Sequence, residues 1–244
     1  MKIPRIVKKI LRREKSLIVI PLKFTAAKLK WTANRCNNIK DYVNLVFHPS
    51  SAFPFSWTNI SPIQVKEEIT EFLKILARYK PKRILEIGTA GGGTLFLFVR
   101  ISSPNALIIS IDLPSGRFGG GYSEWRVSLY KSFAIHYQKI HLIRGDSHAP
   151  STLRMVEKIL EGRKLDFLFI DGDHTYDGVT TDFRMYGSLV GRGGITAFHD
   201  IVPGPPENVG GVPRFWNEIK HEFKHTEIVK NWKQRGAGIG VIYL

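Results

Sequence analysis

The segment Leu85–Thr94, LEIGTAGGGT, decides the fold of this chain, because it is typical of a strand that runs through a glycine-rich turn into a helix. The strand, Arg83–Ile87, is short and apolar and is bounded by Pro81 and Gly88. Glycines in the turn let the backbone approach a ligand closely. In a doubly wound sheet, such a turn lies at the carboxyl end of the first strand, where ligands bind.

Strands and helices alternate along the rest of the chain. Further strands are predicted at 107–112, 140–144, 166–171, 194–199 and 238–243, with a weaker one near 225–230. Helices are predicted at 61–79, opened by Ser61-Pro62, and at 92–101, 123–137, 151–161, 176–190 and 213–223. Continuous apolar strands separated by helices predict an α/β, doubly wound, Rossmann-like sheet that is mostly parallel and has helices on both faces.

Composition excludes several classes of protein. A chain of 244 residues with 43% apolar content can bury a sizeable core and is not disordered. Its one cysteine, Cys36, cannot form an internal disulfide, and the absence of CxxC or Cys/His finger spacing excludes a structural zinc site. We therefore expect a reducing, cytoplasmic compartment. No apolar run approaches the roughly 18 residues that a spanning helix needs.

The net charge of +15 is concentrated at the N-terminus: residues 1–40 hold twelve Lys and Arg and one acid, whereas residues 41–244 hold 24 basic and 20 acidic residues. We therefore divide the chain into a basic N-terminal extension, residues 1–60, and a domain, residues 61–244. Apolar residues recur at helical spacing between the basic ones, which favours contact of residues 1–40 with anionic lipid. They are Ile3, Ile6, Val7, Ile10 and Leu11. The alternative is an extension that packs on its own domain or on a partner subunit of a homo-oligomer.

Acidic residues at three strand ends favour a nucleoside ligand over a phosphate. The turn Gly88-x-x-Gly91-Gly92-Gly93 is not a GxGxxG fingerprint, and no Lys-Ser/Thr follows it. Glu86 would repel a phosphate and attract a sulfonium. Asp112, at the tip of the second strand, is placed to accept both hydroxyls of a ribose. Asp146 or Ser147, after the third strand, can bond an adenine edge, although either could instead cap a helix.

Five segments resemble the class I S-adenosylmethionine-dependent methyltransferases, and more narrowly the group that contains cephalosporin-hydroxylase-like and macrolide-sugar O-methyltransferases. They are LEIGTAGGGT, IISIDLP, RGDS, FIDGDHTYDGVTTDF and GRGGITAFHDI. The resemblance covers about residues 60–244. It implies a seven-stranded sheet with the last strand antiparallel, and S-adenosylmethionine across the ends of the first strands. The implied cofactor-binding residues are Glu86, Gly88, Thr89, Ala90, Gly91, Asp112, Asp146, Ser147 and Asp171.

The ends of the fourth and fifth strands carry the predicted chemistry. Asp171 and the pair His199-Asp200 would meet in one cleft beside the reactive methyl group. These three residues suit Mg²⁺ or another divalent metal, which would orient the acceptor's oxygens. Members that resemble this chain place a second carboxylate or amide where His199 stands, so the metal is the least secure part of the resemblance.

His174 is the candidate general base and, with Asp171, the candidate catalytic pair. An imidazole titrates near neutral pH, and sugar methyltransferases that resemble this chain have a histidine three residues after the metal aspartate. The alternative is a residue that only orders its loop, through Asp173 or Asp177.

Two loops, 114–124 and 201–213, are predicted to form the acceptor pocket, with Tyr176 and Trp216 as aromatic walls. We predict an O-methyltransferase that acts on a hydroxyl of a small-molecule or carbohydrate acceptor. Nucleic acid is disfavoured, because residues 41–244 are nearly neutral and the fourth strand lacks an Asn/Asp-Pro-Pro-aromatic sequence. The alternative is a hydroxylase-like or non-catalytic S-adenosylmethionine-binding member of the same family.

Overall fold

A computed structural model describes residues 20–48, 58–114 and 121–244. Its seven strands are β1 (Arg83–Ile87), β2 (Leu107–Asp112), β3 (Lys139–Arg144), β4 (Leu165–Ile170), β5 (Val190–His199), β6 (Lys224–Ile228) and β7 (Ile239–Tyr243). The helices of the described residues are α1 (20–33), α2 (Ile39–Phe47), α3 (Lys66–Tyr79), α4 (Gly93–Ile101), α5 (Arg126–Lys131), α6 (Pro150–Leu160), α7 (Tyr176–Tyr186), α8 (Pro206–Val209) and α9 (Val212–Ile219).

The strands form one sheet in the order β3-β2-β1-β4-β5-β7-β6. All neighbours pair in parallel except β7, which is antiparallel to both β5 and β6. The predicted seven-stranded, mostly parallel sheet with an antiparallel last strand is therefore confirmed. Because β1 lies between β2 and β4, the chain reverses its winding direction beside β1, which is where such sheets bind ligands.

Each face of the sheet buries its own core, because successive side chains of a strand point to opposite faces. Ile84 and Phe167 belong to the cluster covered by α1 to α5, whereas Leu85 and Leu168 belong to the cluster covered by α6, α7 and α9. In the first cluster, the rings of Phe98 and Phe167 meet edge to face at 5.1 Å. Full burial of one such side chain contributes about 1.5–3 kcal/mol.

Three helix boundaries differ from the prediction. The helix predicted from Ser61 begins at Lys66, and its N-cap, Val65, makes no side-chain capping bond. The helix predicted at 123–137 is reduced to α5, because the amide of Gln138 bonds the carbonyls of Val99 and Ser103 and holds the preceding residues in turns. The helix predicted at 176–190 ends at Tyr186 in the structure. A 3-10 turn, Gly187–Leu189, follows it and leads into β5, which begins at Val190 and so earlier than predicted.

The described part of the N-terminal extension packs on the domain. Leu22 and Leu29 of α1 and Val43 and Val46 of α2 are buried in the same cluster as α3 and α4. A hydroxyl contact of 3.2 Å joins Thr25 to Thr58. The division at residue 60 stays a prediction, and the predicted lipid-binding residues Ile3 to Leu11 lie outside the described residues.

Candidate functional site

A cavity of about 810 Å³ lies at the carboxyl ends of β1 to β5. One side is lined by the glycine-rich turn after β1, by Asp112 and Leu113, and by residues 145–148. The other side is lined by residues 171–175, by His199 and Asp200, and by residues 207–209 and 234–237. Of the residues predicted to bind the cofactor, Gly88, Thr89, Ala90, Gly91, Asp112, Asp146, Ser147 and Asp171 line this cavity.

Asp112 ties the tip of β2 to the glycine-rich turn. Its Oδ2 accepts hydrogen bonds from the backbone N–H of Thr89 at 2.9 Å and of Ala90 at 2.6 Å. Burial raises the pKa of Asp112, and the N–H groups of Ala90 and Thr89 partly oppose that rise. Asp112 is only 8% exposed, yet it stays on the cavity wall. It can therefore shape the turn and contact a ligand at the same time.

The glycines of this turn are needed first for protein packing. Gly88 has a φ of +93°, and a Cβ there would overlap the backbone carbonyl of Asp171. A Cβ on Gly91 would lie 2.6 Å from the carbonyl oxygen of Ser61. The sequence-based explanation, close approach to a ligand, therefore omitted the close contact of the turn with β4 and with the segment before α3.

The structure places Glu86, one of the predicted cofactor-binding residues, inside the sheet. This residue is fully buried in β1 and does not line the cavity. Its Oε2 accepts a hydrogen bond of 2.7 Å from Ser110, whose hydroxyl also contacts that of Thr89. Burial raises the pKa of Glu86 to about 8. The raised pKa favours the protonated carboxyl at pH 7.

Side chains of α7 contact the segment after β3 and hold it in place. Asp146 Oδ1 accepts from the N–H of His148 at 2.9 Å, and the hydroxyl of Tyr186 donates to the carbonyl of Ser147 at 2.6 Å. His148 Nε2 lies 3.4 Å from Oδ1 of the fully buried Asp182. The segment is therefore held in place by buried polar groups that the sequence did not single out.

Two carboxylates and two imidazoles meet on the opposite side of the cavity. Asp171 follows β4, His199 ends β5, and Asp200 follows it with a φ of +62°. His199 Nδ1 lies 3.2 Å from Asp171 Oδ1 and 3.4 Å from Asp200 Oδ2. His174 places Nε2 at 3.4 Å from Asp171 Oδ1, and Nδ1 at 3.4 Å from Asp200 Oδ2. We call these four residues the Asp/His cluster.

The Asp/His cluster balances its own charge. Burial alone would lower the pKa of His174, but hydrogen bonding and charge from Asp171 and the charge of Asp200 outweigh it and raise that pKa to about 9. The same carboxylates raise the pKa of His199 well above its usual value, although burial opposes them. Burial would raise the pKa of Asp171, yet the two histidines lower it. At neutral pH both imidazoles are therefore protonated, and His174 must lose a proton before it can accept one.

The group best arranged to hold a metal differs by one residue from the predicted set. One ligand atom from each of Asp171, His174 and Asp200 lies within 4.8 Å of the others. His199, which the sequence assigned to the metal, is 4% exposed, and its Nε2 has no hydrogen-bond partner among the described residues. Two carboxylates with one imidazole suit a divalent metal ion of the first transition row. The donor set therefore fits the predicted metal, with His174 and His199 as competing nitrogen ligands.

Several contacts to the cluster come from residues that no sequence motif marks. Gln64 Nε2 donates to Asp171 Oδ2 at 2.7 Å, His174 Nδ1 lies 2.6 Å from the carbonyl of Asn208, and the N–H of Ala237 donates to Asp200 Oδ1 at 2.8 Å. Each occupies an atom of the cluster and limits its freedom to turn.

The loop between β6 and β7 is a cavity wall that the sequence analysis missed. Glu68 of α3, 1% exposed, accepts from the N–H groups of Lys230 and Gly238 at 2.9 Å each and from the amide of Gln234 at 2.7 Å. The run of glycines in RGAGIG, residues 235–240, was a signal that could have identified this loop.

The predicted acceptor loops are only partly on the cavity. Residues 207–209 of the second loop line it. Tyr122 of the first loop is 4% exposed and packs on the ring of Tyr130 at 5.0 Å, and residues 115–120 lie outside the described residues. Tyr176 and Trp216 do not line the cavity, since Trp216 is fully buried in the core. The expected aromatic walls are therefore absent from the described lining.

Comparisons with known proteins agree with this geometry. Residues 85–201 match a family described as a methyltransferase domain. The protein R132 of Acanthamoeba polyphaga mimivirus is 33% identical over 116 residues, which are 48% of this chain and 50% of that protein. This chain thus spans half the length of that relative.

Solved structures share the fold at low sequence identity. The O-methyltransferase from Bacillus cereus, in complex with S-adenosylhomocysteine, is 18% identical, with a TM-score of 0.57 over 91% of this chain and 99% of that one. TomG from Streptomyces achromogenes, an O-methyltransferase of tomaymycin synthesis in complex with S-adenosylmethionine, is 15% identical, with a TM-score of 0.55 over 91% of this chain and 97% of that one. Residues 85–201, 117 of the 244 residues, are thus similar to a methyltransferase domain. The chain shares its fold, over 91% of its length, with the two O-methyltransferase structures.

Proposed function

We propose that this protein transfers the methyl group of S-adenosylmethionine to a hydroxyl oxygen of a small-molecule or carbohydrate acceptor, with the help of a divalent metal ion. One observation carries the proposal: a single cavity joins the glycine-rich turn and Asp112 to the Asp/His cluster. The donor would lie along the turn, with its ribose at Asp112 and its adenine at residues 146–148. Its sulfonium would then face the Asp/His cluster, where the acceptor binds.

The reaction transfers a methyl group from sulfur to the acceptor's oxygen and removes the proton of the acceptor's hydroxyl. The carbon–sulfur bond breaks with its electrons on sulfur, the acceptor oxygen bonds to the methyl carbon, and the hydroxyl proton needs a base. His174 is the residue that we assign to this role. The contact of its Nδ1 with the carbonyl of Asn208 keeps a proton on Nδ1, so Nε2 is the atom that exchanges the acceptor's proton.

His174 can take the acceptor's proton only after its imidazolium has lost one. His174 carries a proton at neutral pH because Asp171 and Asp200 stabilise it. Asp171 and Asp200, if engaged as ligands of a divalent ion, would stabilise the imidazolium less, so that Nε2 of His174 could take the acceptor's proton. Asp171 and Asp200 would hold the ion with His199 as the nitrogen ligand, which leaves Nε2 of His174 for the proton, and the bound ion would supply polarisation of the acceptor's oxygen. Gln64 and Ala237 keep the two carboxylates oriented.

Purified protein, labelled S-adenosylmethionine and a panel of vicinal diols, phenols and sugars test the proposal, with and without Mg²⁺ or Mn²⁺. The expected result is a labelled ether product from a hydroxylated acceptor, with stoichiometric S-adenosylhomocysteine. Tight binding of S-adenosylmethionine with no turnover on any acceptor would favour the non-catalytic alternative. Labelled nucleic acid from the same assay would contradict the acceptor class.

A further inference from the structure

Helix α1 is apolar on two sides. Its inner side is buried against the domain through Leu22, Leu29 and Ala33. The buried hydroxyl contact between Thr25 and Thr58 fixes its rotation about its own axis. The inner side therefore accounts for the packing of α1 on the domain.

The outer side of α1 carries large apolar residues in contact with solvent. Ile20, Phe24 and Trp31 are 67%, 57% and 59% exposed. They are spaced four and seven residues apart, which places them on one stripe of a helix, and the exposed Ala27 lies between them. We call these four residues the outer stripe. Contiguous exposed apolar surface of this kind marks an interaction site.

Basic residues flank the outer stripe. Residues 20–40 include Lys23, Lys28, Lys30 and Arg35 and contain no Asp or Glu. The guanidinium of Arg35 lies 3.2 Å from the ring centroid of Trp31. An apolar stripe with Trp and Phe, edged by long basic side chains, is the pattern of a helix that lies in a membrane interface.

A second cavity beside α1 also favours an anionic partner. It has a volume of about 490 Å³ and is lined by Lys30, Asn34, Arg100 and His136, among others. Arg100 Nε at its wall is buried and has no hydrogen-bond acceptor in residues 20–48, 58–114 or 121–244. A donor left without an acceptor in a basic cavity is satisfied by an anionic oxygen.

We propose that the outer stripe of α1 binds an anionic membrane surface, with the head groups of acidic lipids against the flanking lysines and the Arg100 cavity. The protein would lie on the bilayer, since no helix in its described part is long and apolar enough to cross one. A second copy of the chain is a poorer occupant, because two copies of the same basic face would repel each other.

Vesicle co-sedimentation of the full chain tests the proposal. Vesicles of phosphatidylcholine alone are compared with vesicles that also contain phosphatidylserine, at rising salt concentrations. We expect wild-type binding only to the phosphatidylserine vesicles, decreasing with salt. The double variant Phe24→Ser/Trp31→Ser should bind roughly tenfold less or weaker still, since it removes the apolar insertion. Lys23→Gln/Lys30→Gln should lose roughly thirtyfold, as expected for two basic residues near the surface at about 1 kcal/mol each.

The matched control is Met155→Ser. Met155 is 44% exposed on α6, on the opposite face of the sheet, and its replacement should leave vesicle binding unchanged. Methyl-donor binding by calorimetry checks that every variant is folded. Equal vesicle binding by wild type and Phe24→Ser/Trp31→Ser would overturn the proposal, and so would equal binding to neutral vesicles. A wild-type dimer that this variant dissociates, together with no vesicle binding, would assign the stripe to a second copy instead.

Discussion

Gln64 donates a hydrogen bond of 2.7 Å from Nε2 to Oδ2 of Asp171, a residue 107 positions further along the chain. Asp171 Oδ1 faces His174 and His199, so Gln64 occupies the oxygen on the other side of the carboxylate. The amide is 5% exposed and enters the cavity from the segment before α3. It therefore sets the angle at which Asp171 meets the two histidines.

Replacement of Gln64 by Ala should reduce turnover while methyl-donor affinity remains. A hydrogen bond to a charged group contributes about 1.5–3 kcal/mol, so we expect roughly a tenfold to hundredfold loss. Steady-state kinetics and calorimetry measure the two quantities separately. Glu71→Gln, on the exposed side of α3, is the matched control. Wild-type turnover in Gln64→Ala would show that Asp171 keeps its orientation without the amide.

Removal of the Asp112 carboxylate should weaken the binding of both S-adenosylmethionine and S-adenosylhomocysteine. Asp112→Ala deletes the expected ribose contact and also leaves the N–H groups of Thr89 and Ala90 without their acceptor. Each buried donor left without an acceptor lowers the free energy of unfolding by about 1–3 kcal/mol, so the turn itself should also become less stable. Asp112→Asn keeps one oxygen and should lie between wild type and Ala. Calorimetry that finds equal affinity in all three proteins would remove Asp112 from the donor site.

His174 and Asp200 should fail in different ways. Asp200→Ala should abolish activity together with any response to added Mg²⁺ or Mn²⁺, because it removes a carboxylate ligand. His174→Ala should lower turnover by roughly 10² to 10⁴-fold, the effect of removing a general base. Titration with Mn²⁺, followed by its paramagnetic signal, then decides between a base and a ligand at His174. Unchanged Mn²⁺ affinity in His174→Ala leaves His199 as the nitrogen ligand and His174 as the base, whereas lost affinity would make His174 a ligand and reject it as the base.

A chelator titration of the wild type belongs with that comparison. We expect activity to fall in excess EDTA and to return when a divalent ion is restored. Full activity in EDTA would reject the metal and leave His199 and Asp200 as hydrogen-bonding groups for the acceptor.

Glu86 should make the free energy of unfolding depend on pH. Its pKa of about 8 in the folded protein exceeds the usual value of 4.5, so the folded state holds a proton that the unfolded state releases. The stabilising contribution is complete below about pH 4.5 and decreases by about 1.4 kcal/mol per pH unit until about pH 8. Glu86→Gln removes the titration. Melting curves from pH 5 to 9 should therefore show a steeper decline of Tm in wild type, whereas parallel declines would contradict the buried, neutral carboxyl.

The fold was predictable because its signals are local. Apolar runs bounded by glycine, proline or an acid gave the bounds of β2 without error and of β3, β4 and β7 to within one residue. Helix ends were less predictable, since side chains from distant segments set them. Ser61-Pro62 has the sequence of a helix start, but these residues pack against Gly91 and Gly93 and α3 starts later.

Some residues of the candidate site were likewise predictable from local sequence, and others were not. Residues at strand ends, such as Asp112, Asp171 and Asp200, were found because parallel strands bring their carboxyl ends to one edge. Glu86 is buried within β1 and does not line the cavity, so its contact with the cofactor stays a prediction. Gln64 and Ala237 reach the cluster only through tertiary packing, and no motif marks either of them.

Gln64, in the segment before α3, and Glu68, in the first turn of α3, lie four residues apart and hold two different parts of one cavity wall. Glu68 anchors residues 230–238, and Gln64 anchors Asp171. A small shift of this helix would move both parts of the wall together, because the two anchors are joined by one rigid turn of backbone. A foreign loop grafted between β6 and β7 would therefore have to offer Glu68 the same backbone N–H groups if α3, and with it the bond from Gln64 to Asp171, is to stay in place.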